Sequence, residues 1–292
     1  MDNPATMSEI TPGRWVSQSR LYHTHSGLFT SGDDAILIDP GIYPDEIEAI
    51  AAFVKARAIH IQAVLLTHSH WDHILGPEHF PEATLIAHQC FAITAAEAEC
   101  ELHREIAGLE KDGGASRRRA FRIPHPDITF DRRMTLQVGS ELIQLVAAPG
   151  HAPDQLIAYQ PNGQTLWAAD MLSDLEIPLI QSSLSAYRQT MEMLDSLRVR
   201  TLIPGHGFVT CQADEIAARR ASDRVYLAEL DSRTREAVEL GLTLEESVRL
   251  CHNIPYRQDR EENAGPHRLN SEAAYVEAGG SAPVDSGWNR KA

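Results

Sequence analysis

The segment Thr67-His68-Ser69-His70-Trp71-Asp72-His73 places four ligand-type side chains within six residues. Imidazole nitrogen and carboxylate oxygen suit zinc and similar divalent ions. In an extended turn, His68 and His70 point to one side while Asp72 and His73 reach a neighbouring position, so one segment can feed two metals. The chain has 14 histidines, enough to give some close pairs by chance. A run this dense is not one of them. Three further ligand types each follow an apolar run: His151 in Pro149-Gly150-His151, Asp170 after Thr165–Ala169, and His206 in Pro204-Gly205-His206-Gly207. Glycine beside the two histidines permits a tight turn or a close backbone approach.

The elements that must position these groups alternate along the first half. Leu21–Thr30 and Ala35–Asp39 read as paired strands across the turn Ser31-Gly32-Asp33-Asp34. Pro44 opens a helix carrying Ile47, Ile50, Ala51, Val54 and Ala58 at helical spacing. Ala63–Thr67 is a continuous apolar run, the mark of a strand buried on both faces, and it stops at His68. Ligand types just past a buried strand occupy the place where open α/β sheets put their chemistry. Leu85–Ala87 reads as a strand and about Phe91–Leu109 as a helix. Glu110–Arg122 contains Gly113-Gly114 and Arg117-Arg118-Arg119 and reads as a linker or lid. A solvated lid is the expected role of those arginines, with recognition of an acidic substrate group as the alternative. Strands return at Met134–Val138, Glu141–Ala147 and Leu156–Gln160, the last joined to Thr165–Ala169 through Asn162-Gly163. A helix near Ser185–Leu197 leads to the strand Val199–Ile203. Asp214–Leu240 is a long helical pattern, and Thr243-Leu244-Glu245-Glu246 has the capping-box form. From Asn253 the chain reads as a polar tail. No repeat of 20–50 residues is found.

Composition bounds the function. The 292 residues are 43% apolar and 23% charged, an ordinary globular balance. A formal charge of −15 opposes broad binding to nucleic acid or anionic membranes. Cys90, Cys100, Cys211 and Cys251 have no C-x-x-C spacing, so reduced thiols are expected. With neither a signal-peptide pattern at Met1–Ile10 nor a run long enough to span a bilayer, the expected location is the cytoplasm.

On these motifs the sequence resembles the metallo-β-lactamase superfamily over roughly residues 15–210. The resemblance implies a four-layer αββα sandwich of α/β class, with the site at one edge between two sheets and C-terminal helices beyond it. It implies a catalytic domain at 1–210, with an insertion at about 91–133 as a substrate cover, and a helical extension with a polar tail at 211–292 packed on the same domain. A first metal would take His68, His70 and His151, and a second Asp72, His73 and His206. Asp170 would bridge them, and Asp39 would support the site without binding metal. Two divalent ions are implied, zinc first, with manganese, iron or cobalt compatible with the same donors. Such a pair lowers the pKa of a shared water from about 15.7 toward about 7. Asp72 and Asp170, the expected catalytic carboxylates, would orient it. The bridging aspartate resembles the glyoxalase II, lactonase and related hydrolase branches, although 78 residues separate His73 from His151, more than in compact glyoxalase II enzymes. Ser173 stands where quorum-signal lactonases often carry tyrosine, which disfavours that branch.

The expected activity is hydrolysis of a small ester, lactone or thioester. Phosphodiester or nuclease cleavage on the same metals is the enzymatic alternative, and a non-catalytic ligand-binding protein of the same fold is the other. The expected partner is a small molecule, with no nucleic acid and no membrane, and a homo-oligomer is compatible with the sequence. His23, His25, His79, His88, His103 and His125 read as surface or locally hydrogen-bonded groups. Trp71 reads as pocket wall or core, and Tyr226 and Tyr256 are candidates to enter the pocket from the C-terminal region.

Overall fold

The computed structural model describes residues 6–113, 117 and 120–281. Two sheets stand face to face. The first has seven strands in chain order: β1 Ser8–Thr11, β2 Arg14–Gln18, β3 His25–Ser31, β4 Asp34–Ile38, β5 His60–Leu65, β6 Thr84–His88 and β7 Ile128–Phe130. The second has five: β8 Arg133–Val138, β9 Glu141–Ala147, β10 Leu156–Gln160, β11 Thr165–Trp167 and β12 Thr201–Ile203, ordered β12-β11-β10-β9-β8.

Strand periodicity separates the layers. Along β4, Ile36 and Ile38 enter the cluster between the sheets, where they meet Leu145, Leu156, Ala158 and Trp167. Leu37, between them, faces the other way, toward Ile50 and Val54 of α1 (Pro44–Ala56) and Phe91 of α2 (Phe91–Glu97). On the second sheet, Ile157 and Tyr159 turn outward onto α4 (Leu184–Asp195) and α5 (Ala213–Glu239). The order is helices, sheet, sheet, helices: an αββα sandwich.

Several elements depart from the sequence reading. The strand expected from Leu21 begins only at His25, because Tyr22 and His23 hold φ of 52° and 51°, a left-handed pair that no strand accommodates. The helix expected over 91–109 is two, α2 and α3 (Glu99–Gly113), with Ala98 closing the first. β6, expected at Leu85–Ala87, pairs in parallel with β7, which the sequence reading did not anticipate. The region after Asn253 is no plain polar tail: α6 (Leu244–Cys251) is followed by α7 (Ala264–Glu277). Helix α7 buries His267, Asn270, Ser271, Ala273, Ala274 and Tyr275. Its inward face is half polar, which hid it from a search for apolar spacing. Helices α5, α6 and α7 share one apolar cluster with α4 through Tyr226, Leu230, Cys251 and Ala274. Thr243 caps α6 in the expected box with Glu246.

Arg117 is no solvated lid residue. Its side chain is 5% exposed and its guanidinium donates to the Leu75 and Ile42 carbonyls. It ties the region after α3 to the loop that follows His73. Gly114, Arg118, Arg119 and residues 282–292 lie outside the described residues. Helix α3 backs the same loop, since its Ile106 and Leu109 pack with Leu75 and Trp71. No helix among the described residues is long and apolar enough to cross a membrane.

Candidate metal centre

Five strand ends deliver the site to one edge of the sandwich. β4 runs into Asp39, β5 into the 67–73 loop, β9 into Gly150-His151, β11 into Asp170 and β12 into Gly205-His206. The two sheets meet here, because His25 N–H donates to Gly205 O at 2.7 Å and Thr24 bridges to His206. Ala169 holds a φ of 49° and accepts from both Gly205 N–H and Met171 N–H, at 2.6 and 2.8 Å. A strained backbone of this kind persists only where its surroundings over-determine it.

Two groups of donors converge. His68, His70, His151 and Asp170 form one; Asp72, His73 and His206 form the other. Within each group the ligand atoms lie inside 4.8 Å of one another. Asp170 reaches both. Its Oδ2 is 3.3 Å from His151 Nε2 and 3.2 Å from His206 Nε2, and its Oδ1 is 3.3 Å from His73 Nε2. Asp72 Oδ2 lies 3.3 Å from His206 Nε2. All seven sequence-expected ligands come together, and Asp39 stands one layer behind.

The fixed tautomers decide what these atoms can bind. His73 Nδ1–H donates to Asp39 Oδ2 at 3.0 Å, and the Thr67 hydroxyl donates to the same oxygen at 2.7 Å. His68 Nδ1–H donates to Thr67 Oγ1 at 3.0 Å, His151 Nδ1–H to Leu179 O at 3.0 Å and His206 Nδ1–H to Tyr22 O at 3.2 Å. In the neutral form that a cation requires, each of these rings has its Nε2 lone pair facing inward. His68 Nε2 and His151 Nε2 both sit 3.0 Å from His70 Nδ1, and His73 Nε2 sits 3.3 Å from His206 Nε2. At most one of the three nitrogens around His70 can supply a proton to the others. Asp170 Oδ1 is buried with no hydrogen-bond partner among the described residues. Converging lone pairs and an unsatisfied carboxylate oxygen fit divalent cations of the zinc class, and outward N–H groups held by acceptors are the usual support for such ligands.

The local field agrees. Burial drives the His68 and His70 imidazoles down, His70 to about 3, and neighbouring imidazoles add to the effect. Burial also opposes charge on His73 and His206, but Asp170, with Asp72 or Glu176, outweighs it and lifts both well above the usual value. For Asp170, burial would raise the carboxyl, yet His73, His206 and His68 hold it well below its ordinary range. Two buried carboxylates that draw positive charge onto imidazoles will also draw a divalent cation.

Other candidates fall outside the cluster. His25 is buried, and its Nδ1–H donates to Pro204 O at 2.8 Å; burial takes its pKa to about 4. His88 Nε2–H donates to Asp131 O, while His23, His79, His103 and His125 are exposed. Trp71 is half-buried and meets Tyr22 edge-on. Tyr226 and Tyr256 stay away from the ligands: Tyr226 is fully buried, bonded to His267 and Asn270, and Tyr256 packs against it. The sequence reading passed over two carboxylates near the site. Burial pushes Asp154 to about 6, partly offset by Ser69, and Glu176 lies 4.0 Å from His206 Nδ1. Neither acid belongs to a motif, so the sequence carried no signal of either place.

A cavity of about 670 Å3 opens elsewhere, between Val64, Leu85, Phe80 and the 120–125 stretch, and shares no residue with the cluster. Its volume suits a small ligand. Its lining mixes apolar side chains with Glu78, Arg117, Arg122, His125 and Asp127, but among the described residues the converging metal-ligand donors all lie in the strand-end cluster.

A family model described as the metallo-beta-lactamase superfamily matches residues 20–206. The chain is 26% identical over 200 residues to a beta-lactamase-like protein 2 homolog of Drosophila melanogaster, covering 66% of this chain and 61% of that protein. It is 24% identical over 177 residues to a hydroxyacylglutathione hydrolase of Cereibacter sphaeroides, covering 60% and 57%. An atrochrysone carboxyl ACP thioesterase of Aspergillus chevalieri is 25% identical over 244 residues, covering 80% and 69%. The chain thus spans about 60% of the length of the first two. Among solved structures, a stereoselective inverting sec-alkylsulfatase from Pseudomonas sp. superposes with a TM-score of 0.75 at 18% identity, over 96% of this chain and 51% of that one. A metallo-beta-lactamase from Pontibacter korlensis gives 0.57 at 18%, over 75% and 98%. The second and more compact neighbour leaves a quarter of this chain unmatched, whereas the first leaves almost none.

Proposed function

The chain belongs to the metallo-β-lactamase superfamily, and from that footing we propose that it is a hydrolase cleaving a small thioester, ester or lactone with a pair of divalent cations, zinc by preference. The observation that carries the reading is Asp170, whose two oxygens reach the histidines of both donor groups. His68, His70 and His151 would hold one cation, Asp72, His73 and His206 the other, and Asp170 both. When bound, such a pair supplies Lewis acidity toward a substrate oxygen and a water of lowered pKa.

The chain's own groups perform the remaining tasks. Asp39 Oδ2 keeps the His73 proton on Nδ1, and Leu179 O and Tyr22 O do the same for His151 and His206. Asp72 stays ionised, because His73 and His206 overcome the burial that would otherwise raise it. It can therefore accept a hydrogen bond from a nucleophilic water and orient it. Asp170 is ionised for the same reason and offsets cationic charge. No serine or cysteine nucleophile is required.

Thioesters rank first because the names of two relatives, hydroxyacylglutathione hydrolase and ACP thioesterase, point to them. The test is a panel of thioesters, p-nitrophenyl esters, lactones and bis-p-nitrophenyl phosphate, run on purified protein with zinc and again after chelation. Chelator-sensitive turnover of a carbonyl substrate is expected. A large preference for the phosphodiester would replace this reading with phosphodiesterase chemistry, and turnover that survives chelation would end it.

A further inference from the structure

The segment between Asp170 and α4 has irregular backbone, is buried or half-buried apart from Gln181, and contains little regular structure of its own. Buried N–H and C=O groups need partners, and here α7 and the loop that precedes it provide them. Ile177 N–H donates to Asn263 Oδ1, and Asn263 Nδ2–H donates back to Leu175 O. Gln258 Nε2–H donates to Ser173 O. Glu277, at the end of α7, accepts from the backbone N–H of Leu184 and Ser185 at the start of α4.

Asn270 stands at the centre of this arrangement. It is fully buried, and its amide uses every polar atom. Oδ1 accepts from Ile180 N–H at 2.7 Å, and Nδ2 donates to Pro178 O at 2.6 Å and to Tyr226 OH at 2.9 Å. The residue between those two backbone contacts is Leu179, whose carbonyl accepts His151 Nδ1–H. The same stretch grips the ligand's own backbone, since Gln181 N–H donates to His151 O and Ser182 N–H to Gly150 O. Asn270 thus fixes the carbonyl that fixes the imidazole. His70, by contrast, has no such link to α7, and His73 and His206 lean on Asp39 and Tyr22 instead.

We propose that Asn270 on α7 is a positioning residue for one cation only, the one held by His68, His70 and His151, through Pro178–Ile180 and the Leu179 carbonyl. The inference rests on the two-metal reading above and adds that the C-terminal helices build part of one metal position. Support from the groups behind a metal-binding histidine is worth about 10- to 100-fold in affinity. A loss of that size is expected at one cation position, with the other unchanged.

The experiment is stepwise zinc binding to the full chain by competition with a chromophoric chelator, beside thermal unfolding in chelator. Wild type should bind two zinc ions. Asn270→Ala should weaken one of them by about 10- to 100-fold and leave the second as in wild type. Asn270→Asp retains the acceptor for Ile180 N–H but sets a carboxylate oxygen against the Pro178 carbonyl, and it carries the same expectation. Tyr226→Phe cuts the network on the side away from Leu179 and should bind both ions as wild type does. Equal weakening at both positions, unchanged binding, or the same pattern in Tyr226→Phe would overturn the inference and reduce Asn270 to a stabilising role. Failure of both Asn270 variants to fold would do so as well. A wild-type protein that binds no zinc would instead remove the two-metal reading itself.

Discussion

Replacing Gly205 by alanine puts the central carboxylate to the test with a single methyl group. A Cβ at this position would lie 2.2 Å from Asp170 Oδ1, about 1.2 Å inside the 3.4 Å at which ordinary contact begins. The backbone cannot easily retreat. Gly205 N–H is bonded to Ala169 O at 2.6 Å and Gly205 O to His25 N–H at 2.7 Å, while the added carbon would already sit 3.0 Å from Ala169 O. The carboxylate must therefore move by about 1 Å, and its 3.2–3.5 Å contacts to four imidazoles cannot all survive. Misplacement of about 1 Å costs roughly 100-fold in rate, or about 2.7 kcal/mol of transition-state stabilisation. Overpacking should cost about 1–3 kcal/mol of stability, a shift of a few degrees in Tm. Gly205→Ala should therefore fold, melt slightly lower in chelator, and lose about 100-fold in kcat/KM toward the best thioester of the panel. Metal content measured on the same samples separates a lost ion from a misplaced carboxylate. Wild-type kcat/KM with both ions retained would refute the argument, since Asp170 would then have no geometric role.

Two other perturbations follow from the same contacts. Asp39→Asn removes one of two acceptor oxygens, of which Oδ2 serves His73 Nδ1–H and the Thr67 hydroxyl and Oδ1 serves Thr67 N–H, so zinc affinity should fall by about 10- to 100-fold; unchanged chelator competition would rule that support out. Burial raises Asp223 from 3.8 to about 8, against the opposing pull of Arg257 and Arg219, so the folded chain holds a proton there that the unfolded chain releases. The resulting stability is fully present below 3.8, declines as pH rises and is gone above about 8. The Tm of Asp223→Asn should therefore depend less on pH across that window than the Tm of wild type, and parallel profiles would contradict it.

The donor cluster was legible because its residues sit beside signals that are themselves local. His68 to His73 follow a doubly buried strand, and His151, Asp170 and His206 each follow another. The two-sheet seam came from the resemblance, and the strand order only from the structure, since no periodicity tells which sheet a strand joins. What escaped was polar and remote. Asn270 meets Ile180 across 90 residues of chain, and nothing near Asn270 in the sequence announces a buried amide. Helix α7 was read as tail because it turns asparagine, histidine and serine inward along with alanine. Arg117 was misjudged for a related reason: a triple-arginine run is normally solvated, and burial of one guanidinium depends on the Leu75 and Ile42 carbonyls it happens to reach. The left-handed pair Tyr22-His23 shortened β3 with no glycine to announce it.

Each donor group draws on both halves of the sandwich: His68, His70, Asp72 and His73 leave the seven-stranded sheet, while His151, Asp170 and His206 leave the five-stranded one. The cluster is therefore a gauge of alignment. A slip of one sheet along the other parts the donors of both groups in a single movement, whereas an error confined to one loop spoils one group and spares its neighbour. The tight interlock of Phe29, Ile36, Leu145 and Trp167 across that seam is what keeps the gauge in register.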